Sequence, residues 1–121
     1  MRNYFIDLLT EEAKRNQKLM WIVGDLVFSV IEKFRENYPK QFLNAGVAEQ
    51  NMTGMAAGLA SEKFHVFTYS IANFNTFRCS EQSRNDIDYH NYNVTIVSVG
   101  GGLAYGALGY SHHAIQDYSL M

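Results

Sequence analysis

Leu19-Met20-Trp21-Ile22-Val23-Gly24-Asp25 decides the fold: five apolar residues in an unbroken run, closed by a glycine and an acid. A strand that is apolar on both faces belongs inside a parallel sheet covered by helices, and its carboxyl end opens into a loop at Gly24-Asp25. On the N-terminal side, Tyr4, Phe5, Leu8 and Leu9 recur at helical spacing and lead into the polar residues 10–18, an amphipathic first helix. On the C-terminal side, Val30, Ile31 and Phe34 form the inner face of a second helix, which Tyr38-Pro39 ends because proline disfavours helix in the residue before it. The pattern continues as a short strand over residues 41–44, a long helix over 47–61 and a strand over 64–69. A partly exposed helix over 73–89 and a further buried strand over 94–99 follow. Strands alternating with helices predict an α/β fold of three layers, a largely parallel sheet flanked by helices.

The composition narrows the function. The 121 residues suit one domain, 1–121, and with 47% apolar residues and a net charge of −2 they give no reason to expect nucleic acid or a membrane surface as partner. No segment approaches the roughly 20 continuous apolar residues of a membrane-spanning helix. Cys79, the single cysteine, has no internal disulfide partner, and no stretch has the pattern of a signal peptide, so a soluble, cytoplasmic protein is expected. Residues 117–121 stop within a helical pattern without a cap, so the domain is expected to be incomplete at its C-terminus.

In parallel α/β sheets, ligands sit outside the carboxyl ends of the strands. Four segments meet that description: Gly24-Asp25, the segment around Glu49, Tyr69 to Phe77, and Gly100 to His113. Glu49 heads a helix whose residues 53–60 carry no charge and are mostly small, which calls for a surface that approaches closely. The helix dipole would also favour an acid there without any chemistry. The glycine-rich residues 100–109 have neither a Walker lysine nor a dinucleotide fingerprint, so a plain flexible loop fits them as well as a phosphate cradle. His112 and His113 are adjacent, with no cysteine or carboxylate at ligand spacing, and no metal site is expected in this chain. Imidazole does suit proton transfer or hydrogen bonding near neutral pH. Phe74 and Phe77 read as core or as a ring-binding pair, and Arg78, Glu81, Arg84 and Asp86 as a solvated or subunit-facing charged surface. Cys79 has no activating base nearby in sequence.

Three blocks taken together, Gly46-Val47-Ala48-Glu49-Gln50-Asn51-Met52, Asn73-Phe74 with Phe77, and Gly109-Tyr110-Ser111-His112, resemble the pyrimidine-binding domain of the transketolase family, which includes deoxyxylulose-phosphate synthases. The resemblance runs from about residue 19 to 121, with the blocks in the family's order. It implies the thiamine-diphosphate-binding fold and assigns Glu49 to the ring nitrogen N1′ of thiamine diphosphate, where a shared proton helps the cofactor lose its C2 proton. It further implies that Phe74 and Phe77 pack around the aminopyrimidine, that Asp25 lies near the cofactor, that Ser29 holds a substrate phosphate, and that His112 contacts the substrate and acts in catalysis. By the same resemblance, a diphosphate-binding domain or subunit would complete the site in a homo- or hetero-oligomer. That partner would carry Mg2+ or Ca2+, because this chain has no GDG-type segment followed by asparagine.

The departures bear on the substrate. Where transketolases read a sugar hydroxyl with an aspartate, this chain has Leu108; where they place a second histidine on the phosphate, it has Gly100; and Ile71 replaces an aromatic of the pyrimidine pocket. The leading expectation is a transketolase-like transferase component for two-carbon ketol transfer on a small-molecule substrate. The alternatives are a component of a deoxyxylulose-phosphate synthase-like or 2-oxo-acid decarboxylating enzyme, and a non-catalytic interaction module on the same fold.

Overall fold

The computed structural model describes residues 2–25 and 31–121. In chain order these form α1 (Arg2–Arg15), β1 (Leu19–Val23), α2 (Glu32–Asn37), β2 (Phe42–Asn44), α3 (Glu49–Ser61), β3 (His65–Ile71), α4 (Ala72–Thr76), α5 (Ser80–Gln82), β4 (Val94–Val99) and α6 (Asp117–Leu120). The sheet runs β2-β1-β3-β4 and every pairing is parallel. The register sets Trp21 beside Phe42 and Phe67, and Ile71 beside Val99. All four carboxyl ends therefore share one edge.

Because side chains alternate along a strand, β1 feeds two cores. Leu19, Trp21 and Val23 pack with Ile6, Leu9 and Ala13 of α1, Phe34 of α2, and Tyr69. The fully buried Trp21 ring meets Phe34, Phe42 and Tyr69 edge-on, with centroids 4.9, 5.8 and 5.8 Å away. On the opposite face, Ile22 and Val66 pack against Met52, Ala56 and Ala60 of α3. Helix, sheet and helix make the three layers expected from the run at residues 19–23.

Three expectations need correction. The helix over 73–89 is broken into α4, α5 and a π-helical turn, Ser83–Asp88, which a regular hydrophobic period does not foretell. The strand at 94–99 forms but is not buried: β4 lies at the sheet margin with half-covered faces. Helix α3 starts at Glu49 rather than at residue 47, because Gly46 takes φ +73° and donates its N–H to the Asn44 side chain in a tight turn, leaving Val47 turned outward. The small residues of α3 also have a reason within the chain, since Thr53, Ala56, Ala57 and Ala60 are buried, Ala56 and Ala60 against Ile22 and Val66 of the sheet.

Candidate active site

The carboxyl edge of the sheet gathers the segments singled out in the sequence. The backbone closes the edge by itself: Gly24 N–H donates to Tyr69 O at 3.0 Å and Ala45 N–H to Val23 O at 2.9 Å. From the turn after β2, Glu49 enters the first turn of α3 with its side chain fully buried. Its Oε1 accepts a hydrogen bond from the Ser70 hydroxyl at 3.2 Å, and its Oε2 accepts one from Arg78 Nη1 at 2.6 Å. Ser70 reaches it because strand alternation turns Ser70 to the α3 face, opposite Tyr69. Gly24 leaves room for this group: a Cβ there would stand 3.0 Å from Ser70 Oγ and 3.3 Å from Glu49 Oε1.

The Arg78 guanidinium also lies over the Phe74 ring, 4.5 Å from its centroid, a cation–π arrangement. The other edge of Phe74 meets the His112 ring at 5.3 Å, and His112 in turn meets Tyr105 at 5.8 Å. A continuous chain of contacts thus runs from Glu49 through Arg78 and Phe74 to His112, joining residues that follow three different strands. His112 shares a hydrogen bond with its neighbour Ser111 through Nδ1 at 3.0 Å. Asn73 ties the loop to α4 by donating to Ser111 O at 2.7 Å, while His113 turns the other way, onto Gly106 O at 3.0 Å. The two adjacent histidines therefore do not converge on one ligand. Among the described residues no group of three or more His, Cys, Asp or Glu side chains is arranged to hold a metal ion.

The remaining expected residues take peripheral places. Asp25 is exposed beside the same edge and accepts a hydrogen bond from Asn44 Nδ2 at 3.1 Å. Phe77 is 52% exposed, so its ring has a face free of the chain's own core. Ser29 lies outside the described residues. Leu108 is exposed in the loop before His112, and Ile71 is buried at the end of β3. Cys79 is buried with its thiol donating to Phe74 O at 3.3 Å, and burial is the main cause that pushes its pKa up, opposite to what a nucleophile needs.

Sequence reasoning misses Arg78 and Ser70. Arg78 lies on the charged surface that the pattern predicts, its side chain 43% exposed, and from there its guanidinium also reaches the only fully buried carboxylate among the described residues. Two signals point there: Arg78 falls four residues after Phe74, which places both on one side of a helical path, and Ser70 follows Tyr69 on the opposite face of a strand.

Comparison with known proteins shows the family and the fold. Residues 1–121 match the family model described as the transketolase pyrimidine-binding domain. The chain is 38% identical to an apulose-4-phosphate transketolase subunit of Phocaeicola vulgatus, covering 99% of this chain and 39% of that protein. It is 39% identical to a putative transketolase C-terminal section of Methanocaldococcus jannaschii, covering 100% and 39%. It is also 31% identical to a 1-deoxy-D-xylulose-5-phosphate synthase of Macrococcus caseolyticus, covering 98% of this chain and 19% of that one. A solved split-gene transketolase, described as an inactive β4 tetramer, superposes with a TM-score of 0.85 at 36% identity over 99% of this chain and 38% of its own. The chain spans about two-fifths of the length of the transketolase relatives it matches. It belongs to the transketolase pyrimidine-binding domain family.

Proposed function

We propose that this chain is the pyrimidine-binding part of a thiamine-diphosphate-dependent, transketolase-like enzyme that transfers a two-carbon ketol unit between small molecules. The observation that carries the reading is the fully buried Glu49 carboxylate at the carboxyl edge of a parallel sheet, one arginine away from the Phe74 ring. Its donor set fits the pyrimidine half of the cofactor: a carboxyl group to share a proton with a ring nitrogen, and an aromatic face against which a flat ring stacks. When bound, the cofactor supplies the thiazolium carbon that makes carbon–carbon bond chemistry possible. The chain's own part is to hold Glu49 away from water, to present Phe74 and Phe77 to the ring, and to bring His112 beside it for the substrate. In this reading Asp25, exposed beside the same edge, lies near the cofactor, and the family resemblance assigns Ser29 to a substrate phosphate.

The diphosphate and its Mg2+ or Ca2+ fall to another domain or subunit in an oligomer, located in the cytoplasm. Support comes from the apolar side chains left exposed around the site edge, Val47, Phe77, Leu103, Leu108 and Tyr110, which suit coverage by a second protein surface. Residues 1–121 would then be a single, incomplete part of the active unit. The relative that is a 1-deoxy-D-xylulose-5-phosphate synthase favours a decarboxylating variant as the second reading.

The test is to combine the chain with a diphosphate-binding partner, thiamine diphosphate and Mg2+, and to follow donor cleavage with a ketose phosphate and with pyruvate. Ketose phosphate is the expected donor, and Glu49→Ala should lower turnover by about 10²–10⁴-fold, the range of a lost acid–base group. Preferred cleavage of pyruvate would move the chain to the second reading. Full activity of Glu49→Ala would remove Glu49 from the chemistry, and a wild-type assembly that binds no cofactor would leave a non-catalytic module.

A further inference from the structure

Arg78 contacts Glu49 and Phe74 at once, and nothing in the role expected for either residue requires an arginine there. Burying the Glu49 side chain away from water is costly unless its charge is paired and its oxygens are hydrogen-bonded. The two bonds that do this are unequal. The one from Arg78 to Oε2 is short, at 2.6 Å, and charge-assisted, whereas the one from Ser70 to Oε1 is a neutral hydroxyl contact at 3.2 Å. A hydroxyl can rotate and change from donor to acceptor, while a guanidinium can only donate. Arg78 is therefore the fixed anchor of the carboxyl group, and Ser70 the exchangeable contact.

Arg78 is itself held in place. Its guanidinium rests on the Phe74 ring, and its backbone follows α4, whose Asn75 side chain donates to Val97 O of β4 at 2.9 Å. The arginine reaches the buried carboxylate from a partly exposed position, its side chain 43% exposed against 0% for Glu49. A planar, donor-rich group lying between a carboxylate and an aromatic face aligns the two relative to each other, and a flexible ammonium at the same position would do so less strictly.

We propose that Arg78 is a positioning residue for Glu49, fixing the carboxyl group in register with the Phe74 ring so that it can share a proton with the aminopyrimidine. The inference rests on the reading of Glu49 given under Proposed function. It assigns Arg78 an effect on cofactor activation, with little effect on how strongly a donor substrate binds.

The experiment uses the assembled enzyme with its diphosphate-binding partner, in wild-type, Arg78→Met and Arg78→Lys forms. Three quantities are read: thiamine diphosphate affinity by calorimetry, the rate at which bound cofactor exchanges its C2 proton for deuterium, and the donor kcat and KM. Arg78→Met is expected to slow C2 exchange and kcat together by about tenfold or more, the scale of one charge-assisted hydrogen bond, with donor KM within about twofold. Arg78→Lys should recover part of the exchange rate. A double-mutant cycle without cofactor gives an independent readout: Arg78→Met should lower the unfolding temperature when Glu49 is present and far less in a Glu49→Gln background. Unchanged C2 exchange in Arg78→Met, or equal destabilisation in both backgrounds, would overturn the inference while leaving the proposed function intact. A wild-type assembly with no cofactor binding would remove both.

Discussion

At the residue scale, the chemistry of this chain depends on which polar groups are enclosed with which partners. Glu49 and Cys79 are both fully buried, within one small region, and their environments differ in kind. Glu49 is paired with a cation, whereas the Cys79 thiol meets neutral groups, a weak bond to the Phe74 carbonyl and the Thr53 side chain. Burial is the largest cause raising the Cys79 pKa above its ordinary 9.0; the nearby Glu49 charge adds to it, while Thr53 and Arg78 oppose it. The folded chain therefore holds this proton more tightly than the unfolded chain does. Between the ordinary value and the higher folded one, the unfolded state binds fewer protons, so the contribution of Cys79 to stability is lost as pH rises through that window. Unfolding followed by circular dichroism should show a fall in stability above pH 9 that is smaller in Cys79→Ala. An alkylating reagent should modify Cys79 slowly until denaturant is added. Rapid alkylation of the folded protein would show that the thiol is open to solvent.

At the element scale, the order of helices and strands was legible because it follows from local pattern. The unbroken run at residues 19–23 gave β1 to the residue, since a strand covered on both faces needs apolar side chains at every position. The interruption of the helix after α4 was not legible, because a π-helical turn keeps a helical hydrophobic pattern while changing which side chains face inward. The exposure of β4 was equally hidden: Val94 to Val99 has the composition of a central strand, and only the sheet order makes it a margin. The loop before His112 is less free than its glycines suggest. Gly100 takes φ +75° with a Cβ position that falls within the Tyr105 ring, and Gly102 pairs with Ala114 in an antiparallel bridge. Gly100→Ala should therefore cost about 2 kcal/mol or more, from the left-handed backbone and the displaced ring together. Gly46→Ala, with nearly the same φ of +73° and open space around it, should cost only about 1 kcal/mol. Denaturant titration of the two variants checks the ordering, and equal losses would show that the Tyr105 contact carries no weight.

At the scale of the whole molecule, the parallel sheet carries every candidate segment to one edge, and that edge is where several apolar side chains remain uncovered. If, as proposed, this edge is half of a shared cofactor site, its stability depends on partners. Thiamine diphosphate alone should shift the unfolding temperature of this chain little. A diphosphate-binding partner with thiamine diphosphate and Mg2+ should raise it well beyond the partner alone, by mass action on the folded state. At about a hundredfold excess over the dissociation constant this linkage is worth about 2.7 kcal/mol. Differential scanning fluorimetry with each component omitted in turn is the measurement. A shift from partner alone equal to that with cofactor would argue against a shared site.

The sequence by itself determined the α/β class, the parallel sheet, the placement of Glu49 at the head of α3 and the family resemblance, because hydrophobic period, turn residues and motif spacing are properties of neighbouring residues. Only the tertiary structure decided that Arg78 reaches Glu49 from the surface, that Ser70 completes its hydrogen bonds, that Val47 turns outward, and that His112 meets Phe74 and Tyr105 while His113 meets Gly106 O. Those outcomes depend on contacts between residues as much as 38 positions apart, such as the Asn73–Ser111 bond, and the direction of a long side chain is set by the burial and charge of whatever the fold brings beside it.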